Sequence, residues 1–479
     1  MSQYETVVGL EVHVELATKT KIFCGCSTEF GAPPNTQVCP VCSGMPGSLP
    51  VLNKEVVKYA VRAGLALNCD IKRQNVFDRK NYFYPDLPKA YQVSQLYHPI
   101  CQNGFLEITT SSGTKKIGIH EIHMEEDAGK LVHDPWEDCS NVDYNRCGVP
   151  LIEIVSEPDF RSAEEVVTYL EKLRETLLYL GISDCKMQEG SMRADINLSV
   201  RPVGATEFGT RTEMKNMNSF KAIFRAVSFE AKRQIEVISN GGTITQQTRR
   251  WDDNKESSFA MRDKENAQDY RYFPEPDLIP MNLSEGWIAE IRESMPEAAA
   301  AKRSRFVNEF KLSEYDASVL TAEKPLCDLF ENANGICANP KEVSNLITVE
   351  IMRLMKENAV IADDVHKHVN PAHLALLIKK ISDGAINRTV GKDVLNAMFT
   401  EQVDPEAYIK ENNLEIINDT ALIDSVIAKV LENNAKSVED YRAGKQKAFG
   451  SLVGQAMKEL KGKANPVLIN ETLKKKLSE

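Results

Sequence analysis

The segment that decides the fold is Leu10-Glu11-Val12-His13-Val14-Glu15-Leu16, which alternates strictly between apolar and polar residues. A period of two is typical of a β-strand with one buried face, so the four aliphatic side chains are expected to face a core. The opposite face then presents Glu11, His13 and Glu15 side by side. This polar face is either solvated or a metal-binding surface, and the pattern alone leaves both interpretations open.

Four cysteines follow this strand within nineteen residues, in the order C-x-C and then C-x-x-C: Cys24, Cys26, Cys39 and Cys42. Two short-range pairs of this kind can close tetrahedrally on one zinc ion. Because four thiolates leave no open coordination position, the spacing predicts a structural zinc site rather than a catalytic one. The alternative is a set of unrelated reduced thiols.

The composition is that of an ordinary soluble protein, with 42% hydrophobic and 27% charged residues in 479 positions. The N-terminus lacks the basic and apolar regions of a signal peptide, and no apolar run is long enough to span a membrane. The chain has eleven cysteines, an odd number, and seven of them are scattered. This usage fits a reducing compartment, so we expect a cytoplasmic protein with no membrane contact.

The charge is distributed unevenly along the chain. The net charge of −11 argues against broad nonspecific binding of nucleic acid. From Tyr441 to the end, however, nine basic residues stand against three acidic ones, and Lys461 and Lys463 flank a glycine. A basic tail on an acidic protein indicates a local contact with a polyanion, although a solvated helix face is the alternative.

The patterns predict an α+β protein with three domains: residues 1–295, of mixed α and β structure; residues 296–405, helical; and residues 406–479, a second helical unit. Five segments alternate as strands do, namely Thr6–Leu16, Ile117–Ile122, Leu151–Val155, Met192–Arg201 and Thr210–Lys215. Seven segments have helical periodicity, namely Lys54–Leu67, Ala163–Leu180, Ser219–Ser239, Lys341–Glu357, Pro371–Ile381, Ala421–Leu431 and Gly450–Leu460.

Several predicted strands combine an apolar face with a polar face of mixed charge. Asp195 lies on the polar face of one such strand, and the cations on two of them are Arg193, Arg201, Arg211 and Lys215. Such strands suggest an antiparallel sheet with one face lining a polar cavity.

Glu153 lies in Pro150-Leu151-Ile152-Glu153-Ile154-Val155, a run that is apolar on both sides. A carboxylate buried there requires a cationic partner or a metal ion. The cluster His123–Asp127 adds acidic residues, but its strand register is ambiguous, so either Glu125 or Glu126 could point inward. Carboxylates with one imidazole favour Mg²⁺, and Mg²⁺ beside Arg and Lys is the equipment of phosphoryl transfer. No P-loop motif is present.

Six motifs in order resemble the B subunits of the glutamyl/aspartyl-tRNA amidotransferases, and the resemblance extends nearly from end to end. The motifs cover residues 9–16, 78–86, 123–130, 150–159, 213–219 and 269–277. The segments 454–458 and 462–466 resemble the C-terminal tRNA-binding module of that family.

The resemblance implies a cradle-shaped catalytic domain with a glutamine-synthetase-like antiparallel sheet, followed by two helical domains. It implies that ATP phosphorylates the side-chain carboxylate of Glu on tRNA(Gln) or Asp on tRNA(Asn), and that ammonia then displaces the phosphate. The ammonia would come from the glutaminase, or A, subunit, and the heterotrimer would be completed by the small C subunit. The present sequence has no glutaminase signature, which agrees with this division of labour.

The resemblance also implies residue roles. The magnesium ligands match His13, Glu126 and Glu153, and a second metal lies near Glu11 and Asp195. Lys80 and Lys89 match positions on the ammonia path. The zinc cysteines occur in only part of the family, and all four are present here.

Two other functions are compatible with parts of the sequence. One is a ligase that amidates a free amino acid, against which the basic tail argues. The other is a zinc-containing tRNA-binding scaffold, against which the buried Glu153 and the mixed-charge strand faces argue. ATP consumption that depends on aminoacylated tRNA distinguishes all three functions. The choice between Glu-tRNA(Gln) and Asp-tRNA(Asn) as the physiological substrate depends on the accompanying synthetases and is not encoded in this chain.

Overall fold

The computed structural model describes residues 3–134, 136–263, 267–415, 420–442, 445–460 and 466–478. The chain divides into two units, residues 1–299 and 300–479. The first unit contains all described strands and the second is helical throughout its described part, which confirms the α+β class. The further boundary expected at residue 405 stays a prediction.

Sixteen strands are described: β1 Tyr4–Glu15, β2 Asp70–Ile71, β3 Gln74–Asn75, β4 Asp78–Asn81, β5 Tyr91–Ser94, β6 Cys101–Thr110, β7 Gly113–Glu126, β8 Lys130–His133, β9 Ser140–Asp143, β10 Pro150–Ser156, β11 Met192–Pro202, β12 Thr212–Lys215, β13 Gln247–Asp252, β14 Ser257–Asp263, β15 Phe273–Pro274 and β16 Met281–Asn282. Nine of them form one sheet in the order β14-β13-β12-β11-β1-β10-β7-β6-β2. The decisive segment of the sequence is therefore the central strand.

The α-helices of the first unit are α1 Lys54–Ala66, α2 Ala163–Leu180, α3 Phe220–Ser239 and α4 Glu285–Glu293. Those that follow are α5 Ala299–Asn308, α6 Glu314–Ala322, α7 Lys324–Cys337, α8 Pro340–Asn345, α9 Met352–Glu357, α10 Val365–His368, α11 Pro371–Ser382, α12 Arg388–Glu401, α13 Pro405–Glu411, α14 Thr420–Asn433, α15 Ala435–Arg442, α16 Gln446–Glu459 and α17 Pro466–Ser478. Short 3-10 turns cover Ala267–Tyr270 and Ala362–Asp364, and a π-helical turn, Leu346–Ile351, joins α8 to α9.

The large sheet is antiparallel except at one pair. Strands β12 and β13 run parallel, since α3 lies between them in the chain and returns it to the same end of the sheet. The five strands that the sequence predicted do pair antiparallel, and the parallel pair includes β13, a strand that the patterns did not predict. The alternating pattern could not reveal the parallel pairing, because an apolar–polar repeat is the same in both orientations.

Helices α1, α2 and α3 cover the apolar face of the sheet. On the central strand, Val8, Leu10, Val12 and Val14 are fully buried in this core. Polar residues begin the helices: Asn53, Ser162 and Ser219 each accept a hydrogen bond from the backbone N–H two or three residues later. The opposite face of the sheet keeps its polar side chains, as the alternation predicted.

The predicted helices and strands correspond closely to those in the structure. The helix predicted over Ala163–Leu180 has the same bounds as α2, and the strand predicted over Met192–Arg201 is one residue shorter than β11. Strand β12 begins two residues later than predicted, so Arg211 precedes it. The periodic segments were predictable because each buries one face against its neighbours.

In the second unit, α14, α16 and α17 share a core that contains Ile427, Leu452, Ala456, Ile469 and Leu473. Lys461 and Lys463, the two lysines that flank a glycine in the basic tail, lie outside the described residues. No helix in the described part of the chain is long and apolar enough to cross a membrane.

Candidate active site

The polar face of the sheet is built on the central strand β1. Its antiparallel register places His13 opposite Glu153 of β10 on one side and opposite Arg193 of β11 on the other. Two residues earlier on the same face, Glu11 lies opposite Asp195. Residues that are almost two hundred positions apart in the chain thus become neighbours on adjacent strands.

A first cluster forms around His13. Its Nε2 lies 3.6 Å from Glu125 Oε1 and 3.5 Å from Glu153 Oε2. One ligand atom from each of these three residues falls within 4.8 Å of the others, a spacing that can hold a metal ion. The donor set of two carboxylates and one imidazole, with only 5% of the Glu125 and 15% of the Glu153 side chain exposed, fits Mg²⁺ that also binds water or phosphate.

His123 completes this cluster and was not identified as a site residue from the sequence. Its Nε2 lies 3.0 Å from Glu153 Oε2, and its Nδ1 lies 3.4 Å from Glu121 Oε1. Burial opposes the charged imidazolium, but Glu153, Glu121 and Glu125 raise the pKa of His123 well above its ordinary value. Burial likewise opposes a charged Glu153, but His13 and His123 hold its pKa well below the ordinary range.

The sequence did contain a signal for His123. Glu121-Ile122-His123-Met124-Glu125 repeats the Glu-x-His-x-Glu pattern of Glu11-Val12-His13-Val14-Glu15 on a second strand of the same sheet. Both patterns place three polar side chains on one strand face. Two such strands separated by β10 supply both histidines of the cluster.

Glu126, which the family resemblance matched to a magnesium ligand, is not brought to this cluster. It is adjacent to Glu125 on β7, so its side chain leaves the opposite face of the strand. There Glu126 Oε1 pairs with Lys89 Nζ and accepts a hydrogen bond of 2.9 Å from the backbone N–H of Val93. Of the two glutamates left open by the sequence, Glu125 is the one that joins His13 and Glu153.

A second cluster joins Glu11 and Asp195, which the family resemblance paired, with Glu213, to which the sequence gave no role. One oxygen from each of these three carboxylates lies within 4.8 Å of the others. Asn197 donates a hydrogen bond of 2.9 Å to Glu11, while its Oδ1 is buried and accepts no hydrogen bond within the described structure. An orphaned oxygen beside three carboxylates suits a hard cation such as Mg²⁺.

The four cations on the polar faces of the predicted strands have different positions. Lys215 pairs with Asp195 and lies 3.4 Å from Glu213, and these carboxylates raise the pKa of its ammonium although burial lowers it. Arg201 lies six residues beyond Asp195 on β11, about 20 Å along the strand, and pairs with Glu5. Arg211 is exposed and precedes β12.

The fourth cation, Arg193, lies opposite His13 on the neighbouring strand and belongs to a charge network around the buried Asp127. Its Nη2 lies 3.1 Å from Asp127 Oδ2, and Arg146 Nε lies 3.4 Å from the same oxygen. Burial and the charge of Asp127 raise the pKa of Glu15 to about 8, and the charges of Arg193 and Arg146 act in the opposite direction. A cavity of about 500 Å³, lined by Glu15, Arg193, Arg146 and other residues, opens at this end of the polar face.

Lys80 lies on β4 beside two tyrosines. Its Nζ is 5.0 Å from the ring centre of Tyr270 and 5.7 Å from that of Tyr82, and its charge contributes to the lowered pKa of Glu153. Next to it, Arg79 makes two hydrogen bonds of 2.7 and 2.8 Å to Glu275, which tie β4 to the segment around β15. The charge of Lys80 therefore acts on the first carboxylate cluster.

The four cysteines converge as their spacing predicted. Their Sγ atoms all lie within 4.8 Å of one another, and Cys39 and Cys42 are 3.8 Å apart, about the separation of two sulfurs on one tetrahedral zinc. A hydrogen bond from the Cys24 thiol lowers the pKa of Cys42 to about 4, and Lys21 acts in the same direction. The residues present fit a closed Cys₄ zinc site.

Comparison with known proteins finds related sequences over most of the chain. The family model for the GatB/GatE catalytic domain matches residues 6–289, and the model for the GatB domain matches residues 328–477. Three similar proteins are each named as the B subunit of an aspartyl/glutamyl-tRNA(Asn/Gln) amidotransferase. The protein from Lachnoclostridium phytofermentans is 63% identical over 479 residues, 100% of both chains. The protein from Agathobacter rectalis is 60% identical over 473 residues, 99% of both chains. The protein from Caldicellulosiruptor bescii is 55% identical over 478 residues, 100% of both chains.

Proposed function

The chain belongs to the family of aspartyl/glutamyl-tRNA(Asn/Gln) amidotransferase B subunits, and from this premise we propose that its polar sheet face activates and amidates the amino acid of a misacylated tRNA. The observation that carries the proposal is the pair of carboxylate clusters on that face, one around His13 and one around Glu11. The substrates are Glu-tRNA(Gln), Asp-tRNA(Asn) or both, together with ATP. The sheet, with carboxylates projecting from one face, is of the glutamine-synthetase-like type in a cradle-shaped domain.

The proposed reaction has two steps. The side-chain carboxylate of the tRNA-bound amino acid attacks the γ-phosphorus of ATP, and ADP leaves with the bridging oxygen. Ammonia then attacks the acyl carbon, phosphate leaves, and the ammonia nitrogen loses a proton. Ammonia is supplied by the glutaminase, or A, subunit, and the heterotrimer, which works in the cytoplasm, is completed by the small C subunit.

The chain's own residues have three proposed tasks. His13, Glu125 and Glu153 would hold one Mg²⁺, and Glu11, Asp195 and Glu213 a second; these ions would neutralise charge on the phosphate oxygens. Arg193 and Lys215 lie on the same face and are the cations proposed to contact phosphate. Lys80 and Lys89 orient the incoming ammonia, and Lys89 does so from its pair with Glu126.

Two neighbouring glutamates provide the sharpest test. Glu125→Gln and Glu126→Gln each remove one charge and keep the shape, on opposite faces of the same strand. We expect Glu125→Gln, like Glu153→Gln, to abolish ATP cleavage that depends on aminoacylated tRNA, because a magnesium ligand is lost. Glu126→Gln should keep this ATP cleavage and reduce glutamine-supported amidation, because it breaks the Lys89 pair.

The assay is ADP release by the purified heterotrimer with each misacylated tRNA, followed by mass spectrometry of the amino acid released from the tRNA. Normal ATP cleavage by both Glu125→Gln and Glu153→Gln would remove the first cluster from the reaction. The amino acid recovered also shows which of the two misacylated tRNAs the purified heterotrimer converts.

A further inference from the structure

The segment 24–48, which carries the four cysteines and is called the four-cysteine loop below, forms one wall of the cavity in which Lys89 and Glu126 meet. This cavity has a volume of about 90 Å³, and its lining includes Lys21, Cys42 and Gly44 from the loop side. Only 14% of the Lys89 side chain and 6% of the Glu126 side chain are exposed. The pair is thus enclosed between the loop and strands β5 and β7.

The contact between the loop and Lys89 is made at Gly44. This glycine follows the second pair of cysteines, has a φ of +68° and donates its N–H to the carbonyl of Val41. A Cβ built on Gly44 would lie 3.2 Å from Lys89 Cα and closer still to Lys89 Cγ, so the lysine stem packs directly on the glycine. Gly44 therefore supplies both a left-handed turn and the space that Lys89 occupies.

Lys21 connects the sulfurs to the same cavity. Its side chain is fully buried, and its Nζ lies 3.5 Å from Cys42 Sγ and 2.8 Å from the carbonyl oxygen of Gln37. A Cβ on Gly148 would lie 3.7 Å from Lys21 Cδ, 3.6 Å from Cys42 Cβ and 3.9 Å from Glu126 Oε2. The sulfur cluster, the buried lysine and Glu126 all meet around this one glycine.

We propose that the four-cysteine loop, held by its metal, positions the Lys89 ammonium against Glu126, with Gly44 as the contact and Lys21 as the buried counter-charge of the thiolates. Four thiolates on one Zn²⁺ carry a net charge of about −2, which a buried ammonium at Cys42 partly balances. Fixing the sulfurs fixes the turn at Gly44 and, through it, the stem of Lys89. The inference rests on the proposed function only in the task given to Lys89.

The direct test measures protection of Lys89 rather than activity. The full chain is labelled with an amine-reactive ester, and the labelling rate of each lysine is read by peptide mass spectrometry, with and without zinc removal by a chelator. We expect zinc removal to raise the Lys89 rate about tenfold, the equivalent of losing one charge-assisted hydrogen bond. Lys215, which also pairs with a carboxylate on this unit, reports general unfolding and should not change.

Two glycines of the loop give a matched pair of variants. Gly44→Ala and Gly47→Ala both place a side chain at a positive φ, +68° and +85°, but a Cβ built on Gly47 would meet nothing within 4 Å. We expect Lys89 to become reactive in Gly44→Ala only, with zinc content near one per chain in both variants. Equal rates at Lys89 in the two variants, or a parallel rise at Lys89 and Lys215 after zinc removal, would overturn the proposal.

Activity then separates this inference from the proposed function. In the heterotrimer, Gly44→Ala should lower amidation supported by glutamine more than amidation supported by ammonium chloride, since high ammonium bypasses a delivery path. If Lys89 becomes reactive while both modes of amidation stay at the Gly47→Ala level, the positioning stands and the task proposed for Lys89 in ammonia handling is refuted.

Discussion

Replacing the buried Glu230 should destabilise the half of the sheet that carries the second carboxylate cluster. Glu230 lies on α3, which packs on β11, and its side chain is fully buried. Its carboxylate accepts hydrogen bonds from Arg233 at 2.6 and 2.9 Å, from Thr212 at 2.9 Å and from Gln234 at 3.0 Å. Arg249 Nε of β13 lies 3.5 Å away. One side chain therefore links α3 to β12 and β13.

The expected loss of unfolding free energy depends on which buried groups each variant leaves without a partner. Glu230→Ala removes the charge shared by two arginines and leaves buried donors without an acceptor, which costs about 3–5 kcal/mol of unfolding free energy. Glu230→Gln keeps the volume and one acceptor oxygen but loses the charge, which costs about 1.5–3 kcal/mol. Glu236→Ala, on the same helix with an exposed partner 3.8 Å away, is the control and should change stability by less than about 0.5 kcal/mol.

Thermal unfolding measured by calorimetry, with hydrogen exchange of the peptides that contain β11 to β13, tests this expectation. At about 2 °C per kcal/mol for a unit of this size, Glu230→Ala should lower the transition by roughly 6–10 °C. Despite burial, Arg233 and Gln234 hold the pKa of Glu230 below its ordinary value, so this stabilisation is present above the unfolded pKa of about 4.3 and is lost as the pH falls below it. A transition as high as that of the Glu236→Ala control would refute the linking role.

Three further outcomes are expected from other parts of the chain. Zinc analysis should find about one zinc per chain, and the double variant Cys39→Ser, Cys42→Ser should contain none. Zinc retained by this double variant would contradict a four-sulfur site. Deleting residues 406–479 should weaken tRNA binding and flatten its salt dependence, because phosphate contacts release counterions; an unchanged affinity and slope in a titration at several salt concentrations would assign the basic tail to a solvated face. Arg79→Lys should cost about 1.5–3 kcal/mol, because a lysine cannot reproduce the two parallel hydrogen bonds to Glu275; hydrogen exchange near β15 that matches the unaltered protein would argue against this clamp.

Local patterns were enough to predict the segments that bury one face. The central strand, Tyr4–Glu15, and the helix Ala163–Leu180 were predictable because burial requires apolar residues at the period of each structure. The convergence of the four cysteines was predictable because their spacing is short and their chemistry is specific. The parallel pairing of β12 and β13 was not predictable from local patterns, since it depends on where α3 returns the chain.

The sequence could not decide whether Glu125 or Glu126 faces His13, and the reason is a physical one. Along β7, Ile117 and Ile119 are buried at odd positions, whereas Ile122 and Met124 are buried at even ones. The register between β7 and β10 shifts here: Val155 pairs with Glu121 and the next residue, Ser156, with Ile119, so His120 is the extra residue of a β-bulge. A bulge reverses the side-chain alternation beyond it, so the pattern before His120 cannot be extended to the glutamates that follow.

The carboxylate clusters depend on the registers of five strands at once. His13, Glu153 and Glu125 come from β1, β10 and β7, and Asp195 and Glu213 come from β11 and β12. A slip of one residue in any of these pairings would turn a carboxylate to the apolar face, where burial without a partner is costly. The apolar residues on the covered face of the sheet therefore do more than stabilise the fold. By fixing each register, they determine which acidic side chains meet, and this is why the bulge at His120 decides that Glu125 lies with His13 while Glu126 is left to Lys89.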